Sequence, residues 1–212
     1  MLKVLACALA AASCVGIQPI CRVNGEDKTI ALTFDDGPHP VYTEQILDVL
    51  DEYGVKATFF VIGKNANTYP GITDDEIMRG HEVESHTFSH RYANSYGYDD
   101  ALDELSSNED ALGIEPEFVR PPGGIVSSAF KRAANEMSYR IVLWSVDTLD
   151  WKCPGADYVV NTVLNNVKGG DIILMHDYVC GRSSTVDALK RVIPALLEKG
   201  YRFVTLKELL GE

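Results

Sequence analysis

A repeated alternation of one strand-like segment with one helix-like segment constrains this chain most. Consecutive parallel strands need a helix-length crossover to return the chain to the same end of a sheet. Thr29 to Phe34 is a β-branched, apolar run, and within Thr43 to Tyr53 the residues Ile46, Leu47, Leu50 and Tyr53 fall on one helical face. Ala57 to Ile62 is continuously apolar and reads as a buried strand, followed by a short helix around Asp74 to Arg79. Glu82 to Ser85 is a weaker strand, and Tyr98 to Leu112 is a polar amphipathic helix. The second half is more regular. Strands are expected at Glu117 to Val119, Arg140 to Val146, Asp171 to Met175 and Arg202 to Leu206. Helices are expected between them at Ser127 to Met137, Tyr158 to Asn166 and Thr185 to Lys199, with a short helix at the end. Seven strands separated by helices predict an α/β fold with a parallel sheet. Their even spacing, without a glycine-rich nucleotide-binding turn, favours a closed barrel over a doubly wound sheet.

Residues 1–24 do not share this pattern and read as a signal peptide or N-terminal anchor plus a short linker, leaving residues 25–212 as one catalytic domain. Lys3 precedes an apolar stretch from Val4 to Gly16, the length of a signal-peptide core and too short for a comfortable membrane span. Ala10 and Ala12 offer a cleavage site before Ser13, while Cys14 after Ala11-Ala12-Ser13 resembles a lipoprotein acylation site without its leucine. A cleaved signal, an uncleaved membrane anchor and a lipoprotein all export the domain, so an extracellular or cell-surface location is expected. The net charge of -12, with 19 Lys and Arg spread thinly, argues against a nucleic-acid partner. No obligate protein partner is evident.

Every unusual polar cluster lies at the C-terminal end of an expected strand, where parallel barrels gather their active sites. Thr33-Phe34-Asp35-Asp36-Gly37-Pro38 closes the first strand. Asp-Gly-Pro is ordinary turn chemistry, but two adjacent carboxylates after an apolar strand repel unless they share a cation or a proton. His86-Thr87-Phe88-Ser89-His90 has a spacing that, on a helical turn, sets both imidazoles on one side. With a carboxylate from another strand end, these make a two-histidine, one-carboxylate set that leaves positions open for water and substrate. In Arg120-Pro121-Pro122-Gly123-Gly124, Arg120 can aim its fork at a carboxylate, and Gly123 lets its N–H approach a ligand. Asp147-Thr148-Leu149-Asp150-Trp151 and Leu174-Met175-His176-Asp177 end the next two strands. Taken singly, His176 reads as a satisfied core histidine and Trp151 as packing. His39 and His81 read as loop and strand-edge residues.

In order and composition the five segments resemble the five motifs of the polysaccharide deacetylase family (carbohydrate esterase family 4, the NodB-homology domain), over roughly Thr29 to Leu206. The resemblance implies a distorted (β/α)7 barrel with its active site at the C-terminal ends of the strands. It implies a divalent metal, usually zinc, with cobalt or another divalent ion as alternatives, held by Asp36, His86 and His90. Asp35 would be the general base, oriented by Arg120, and His176 the general acid, paired with Asp150. Trp151 and Leu174 would line the acetyl pocket, and the Gly123 N–H would contact the oxyanion. Relatives often carry Tyr in the place of Gly123, so an aromatic wall of the groove is expected to be missing.

The implied activity is removal of N-acetyl groups from an N-acetylglucosamine polymer, with peptidoglycan as first substrate and chitin oligomers as second. O-deacetylation of xylan or a similar polymer is an alternative, as is a non-catalytic carbohydrate-binding relative, against which Asp35 and His176 weigh. A glycosidase is disfavoured, because Asp35 and Asp36 are adjacent on one strand instead of flanking a bond. Cys153 and Cys180 each follow a motif closely, so they meet as a disulfide if the motifs converge, or stand as two separate loop thiols.

Overall fold

The computed structural model describes residues 18–24, 27–178 and 183–211. The apolar leader and Cys180, on which the export and disulfide expectations rest, lie outside these residues. The elements are β1 (Thr29–Asp35), α1 (Tyr42–Tyr53), β2 (Thr58–Val61), α2 (Gly63–Thr68), α3 (Pro70–Met78), β3 (Glu82–Ser85), α4 (Tyr98–Leu112) and β4 (Phe118–Val119). They continue with α5 (Ser128–Glu136), β5 (Arg140–Ile141), β6 (Val146–Asp147), α6 (Ala156–Asn166), β7 (Ile172–His176), α7 (Thr185–Glu198), β8 (Arg202–Phe203) and α8 (Leu206–Leu210). The strands are parallel and run in the order β5-β4-β3-β2-β1-β7-β6, with β8 paired to the start of β1. Sequence neighbours thus curl outward from β1 into the distorted barrel that the alternation predicts.

The distortion lies where one strand was expected over Arg140 to Val146 and two are found. Val142 still donates to the Val119 carbonyl beside β4, whereas Ser145 already donates to Ile172 in β7. One short segment cannot hold both neighbours in register, so the ladder breaks between them. Ile20 enters the gap, donating to the Ile141 carbonyl and accepting from Leu143, and Val23 donates to Gly170. Residues of the expected linker are therefore hydrogen-bonded into the sheet. Arg22 fastens them through a 2.5 Å ion pair to the fully buried Asp171.

The two-residue period of the strands sorts side chains onto two faces. Ile30, Leu32 and Phe34 of β1, Phe59 and Val61 of β2, and Ile173 and Met175 of β7 pack against α1, α6 and α7. Their alternates Ala31, Phe60, Phe118 and Ile172 fill the barrel interior with Leu206. The same inward parity reaches Asp35, His86, Arg120 and His176 at the strand tops.

Two further differences from the sequence reading have local causes. Helix α2 was not expected, because Gly-Lys-Asn-Ala-Asn-Thr has no apolar period. It forms through tertiary bonds: the N–H groups of Gly63 and Lys64 donate to the carbonyls of Thr87 and Phe88. The last strand ends at Phe203 because Thr205 caps α8, its Oγ1 accepting the Glu208 N–H, while Glu82 accepts the Leu206 N–H at 2.7 Å.

Gly170 sits at φ +81°, and a Cβ there would stand 1.8 Å from the Val23 carbonyl oxygen. Gly170→Ala is expected to cost at least about 2 kcal/mol. A urea midpoint lowered accordingly checks this; an unchanged midpoint would remove the N-terminal segment from the list of barrel components.

Candidate active site

Adjacent residues of a strand point to opposite faces, so Asp35 and Asp36 cannot both face the barrel mouth on a regular strand. Asp36 has φ 79°, which turns the chain immediately after β1 and brings its carboxylate round beside that of Asp35. Asp36 Oδ1 lies 3.3 Å from His86 Nε2 and 3.1 Å from His90 Nε2. Ligand atoms from these three residues fall within 4.8 Å of one another, and this is the one such group among the described residues. Burial acts to raise the Asp36 pKa, but the adjacent His86 and His90 imidazoles, with the charge of His176 behind them, outweigh it and hold the carboxyl well below the usual range.

The two histidines do not share a helical turn, which corrects the sequence expectation. Residues 86–90 are irregular, with Thr87 at φ 65° and His90 at φ 57°. Helix α4 holds this conformation. Asn108 Nδ2 donates to the carbonyls of Thr87 (2.7 Å) and Val61 (3.0 Å), and Glu104 accepts the Ser89 N–H at 2.8 Å. Glu104 and Asn108 carry roles that a spacing rule does not reveal, since they sit in an otherwise ordinary amphipathic helix.

Arg120 is fully buried, and burial pushes its pKa down while Asp35 pulls it back up. Its guanidinium donates to Asp35 Oδ1 (2.6 Å), Thr33 Oγ1 (2.8 Å) and the Leu143 carbonyl (2.9 Å), and it lies 4.0 Å from the centre of the Phe60 ring. Asp35 Oδ2 stays on the cavity side, 3.8 Å from His86 Nε2. The Arg120 carbonyl pairs with His86 Nδ1 at 2.7 Å.

Asp150 and His176 meet as the motifs imply. Nδ1 of His176 is 2.7 Å from Asp150 Oδ1, and Asp150 Oδ2 accepts the His176 N–H (2.8 Å) and Thr185 Oγ1 (2.7 Å). Burial pulls the imidazole pKa down, but the Asp150 hydrogen bond and charge prevail and raise it to about 9. Asp177, next to His176, turns away. It accepts from Thr43 Oγ1 at 2.6 Å, and burial pushes its pKa up to about 7.

These groups open on one cavity of about 370 Å³, lined also by Gly123, Trp144, Asp147, Leu174, half-exposed Trp151 and Tyr92. Every site residue expected from the sequence except Arg120 and Asp150 lines it, and those two stand directly behind Asp35 and His176. Tyr92 was not expected. Its ring occupies the space beside Gly123, so the wall thought to be missing is replaced by an aromatic from a different strand end. Cys153, two residues after Trp151, is exposed. His39 and His81 stay outside the cavity. His39 Nδ1 accepts the N–H groups of Val41 and Tyr42 at the start of α1, and burial lowers the His81 pKa to about 4.

Comparison with known proteins gives a consistent result. The family model described as polysaccharide deacetylase matches residues 22–142. A peptidoglycan-N-acetylglucosamine deacetylase of Bacillus cereus is 44% identical over 89% of this chain and 91% of its own length. The crystal structure of a peptidoglycan N-acetylglucosamine deacetylase superposes with a TM-score of 0.86 at 39% identity, covering 90% of this chain and 91% of that one. A family 4 pseudoenzyme from Bacillus anthracis superposes with a TM-score of 0.85 at 29% identity, covering 92% and 70%.

Replacing Arg120 by Met leaves Asp35 buried without its counter-charge and is expected to cost about 3–5 kcal/mol, measured by urea unfolding at neutral pH. The His176–Asp150 pair has the opposite pH signature to a carboxylate. A pKa raised from 6.5 to about 9 on folding contributes stability that is complete below pH 6.5 and lost as pH rises through 9. In Asp150→Asn, NMR titration of the His176 imidazole should move down toward 6.5; an unmoved pKa would detach Asp150 from that role.

Proposed function

The chain belongs to the polysaccharide deacetylase family, carbohydrate esterase family 4, and from that premise we propose that it removes N-acetyl groups from N-acetylglucosamine residues of peptidoglycan. The overall fold does not carry this reading, because a pseudoenzyme of the family adopts nearly the same one. What carries it is the convergence in one cavity of a base-type carboxylate, a charged imidazole and a two-histidine, one-carboxylate cluster.

The cluster suits a divalent cation. Nδ1 of His86 faces a carbonyl, which only accepts, so that nitrogen bears a proton, and with a single ring proton Nε2 presents a lone pair toward Asp36. Two electron-pair donors 3.3 Å apart repel unless a cation or proton stands between them, and Asp36 Oδ1 is buried with no hydrogen bond of good geometry. Asp36, His86 and His90 would hold the ion, for which zinc is our assignment; cobalt or another divalent metal fits the same donors. Such an ion, when bound, acidifies water and polarises a carbonyl oxygen.

The chain's own residues do the rest. Asp35, clamped at Oδ1 by Arg120, keeps Oδ2 toward the cavity and accepts the proton of the attacking water. The Gly123 N–H donates to the oxyanion of the tetrahedral intermediate. His176, kept protonated by Asp150, passes its proton to the departing amine. Leu174 and Trp151 enclose the acetyl methyl. Peptidoglycan lies outside the cell membrane, which accords with export of the domain by its leader. Among the described residues no helix is long and apolar enough to cross a membrane.

Asp35→Asn should retain metal binding by calorimetry yet release no acetate from peptidoglycan, whereas His86→Ala loses both. Wild-type acetate release by the Asp35 variant would sink the assignment. Asp150→Asn should shift the alkaline limb of kcat/KM to lower pH, because the acid then deprotonates sooner. Acetate release from peptidoglycan, chitin oligomers and acetylxylan, compared side by side, tests the substrate; a preference for acetylxylan would replace the amide reading with the ester one.

A further inference from the structure

We propose that Tyr92 is a specificity-determining residue of the cleft, its ring forming the wall on which a sugar of the polymer stacks beside the scissile acetamide. This rests on the deacetylase reading above. Tyr92 faces the same cavity as Asp35, Asp36 and His176, and it is 53% exposed, so the folded core gains little from it. Its position is nevertheless fixed. The next residue, Ala93, is fully buried against Phe130 and Ala133, and the Tyr92 carbonyl accepts the N–H of Ser95 at 2.9 Å and its Oγ at 2.6 Å. The ring is tilted 57° to that of His90, with centroids 6.1 Å apart.

One side of the ring rests on bare backbone. A Cβ at Gly123 would stand 3.0 Å from Tyr92 Cε1 and 3.4 Å from Cδ1, and Gly123 is at φ +63°. Gly123 therefore does two things: its N–H is available at the cavity, and its missing side chain makes room for the Tyr92 ring. About half of the residue stays exposed, on the cavity that it lines. A rigid aromatic with an apolar body and a polar tip, held at a cleft edge, suits a ligand with an apolar C–H face and hydroxyls at its rim. A pyranose ring has that chemistry.

The test separates sugar stacking from support of His90. In Tyr92→Ala, kcat/KM for a chitin tetramer should fall roughly tenfold relative to kcat/KM for a small aryl acetate, mainly through KM, and Tyr92→Phe should recover most of the loss. In an Asp35→Asn background, where turnover plays no part, Tyr92→Ala should weaken tetramer binding by a similar factor in calorimetry. A glycan-to-ester ratio within about twofold of wild type, or an unchanged tetramer Kd, overturns the proposal. So does a Phe variant as poor as the Ala variant. An unmodified chain that binds the tetramer through Tyr92 yet releases no acetate would instead count against the deacetylase reading alone.

Discussion

A full positive charge with no exposure to water is the constraint around which this molecule is arranged. Arg120 is accommodated inside the barrel because Asp35, Thr33 and the Leu143 carbonyl accept from its two terminal nitrogens while its guanidinium lies near the rings of Phe60 and Trp144. Those partners come from β1, from β2 and from the broken segment between β5 and β6, so accommodating one guanidinium constrains how several strands meet. Desolvating such a group is expensive, and the pair contributes little net stability compared with an apolar filling. What it secures is orientation. The side chain holds the Asp35 carboxylate, and the carbonyl of the same residue sets the tautomer of His86. One residue therefore positions both the proposed base and a proposed metal ligand.

The proposed acid, His176, is held independently, on the other side of β1. Asp150 meets His176 with both oxygens in use, and Thr185 at the start of α7 completes its shell. The two proposed proton-transfer groups thus have separate partners of opposite charge within a single cavity. Asp35 receives a cation, and His176 receives an anion.

Backbone strain collects around the same cavity. Five of the six described non-glycine residues with positive φ are Asp36, Thr87, His90, Leu149 and Cys153, all on the loops that follow β1, β3 and β6. Each such conformation costs on the order of 1 kcal/mol and persists only where surrounding contacts enforce it. Here α4 holds Thr87 and Ser89, and Asn65 of α2 donates to the Asp36 carbonyl at 2.8 Å. The helices flanking these loops thus serve the site as much as the core.

The sequence by itself determined the alternation of elements, the parallel barrel and the strand ends at which chemistry gathers. Those properties are local: apolar period, strand length and the polar residues that interrupt both. It also displayed the polar clusters at those strand ends, and the resemblance to the deacetylase motifs singled out Asp35, Asp36, His86, His90, Arg120, Asp150 and His176 within them. Only the tertiary structure decided that the fifth strand breaks in two, since two neighbours compete for one segment. It decided that the histidines converge through left-handed backbone instead of a helical turn, because the enforcing hydrogen bonds come from α4, distant in sequence. And it decided that Tyr92 stands against Gly123, a contact between two loops that no period or spacing within either one encodes.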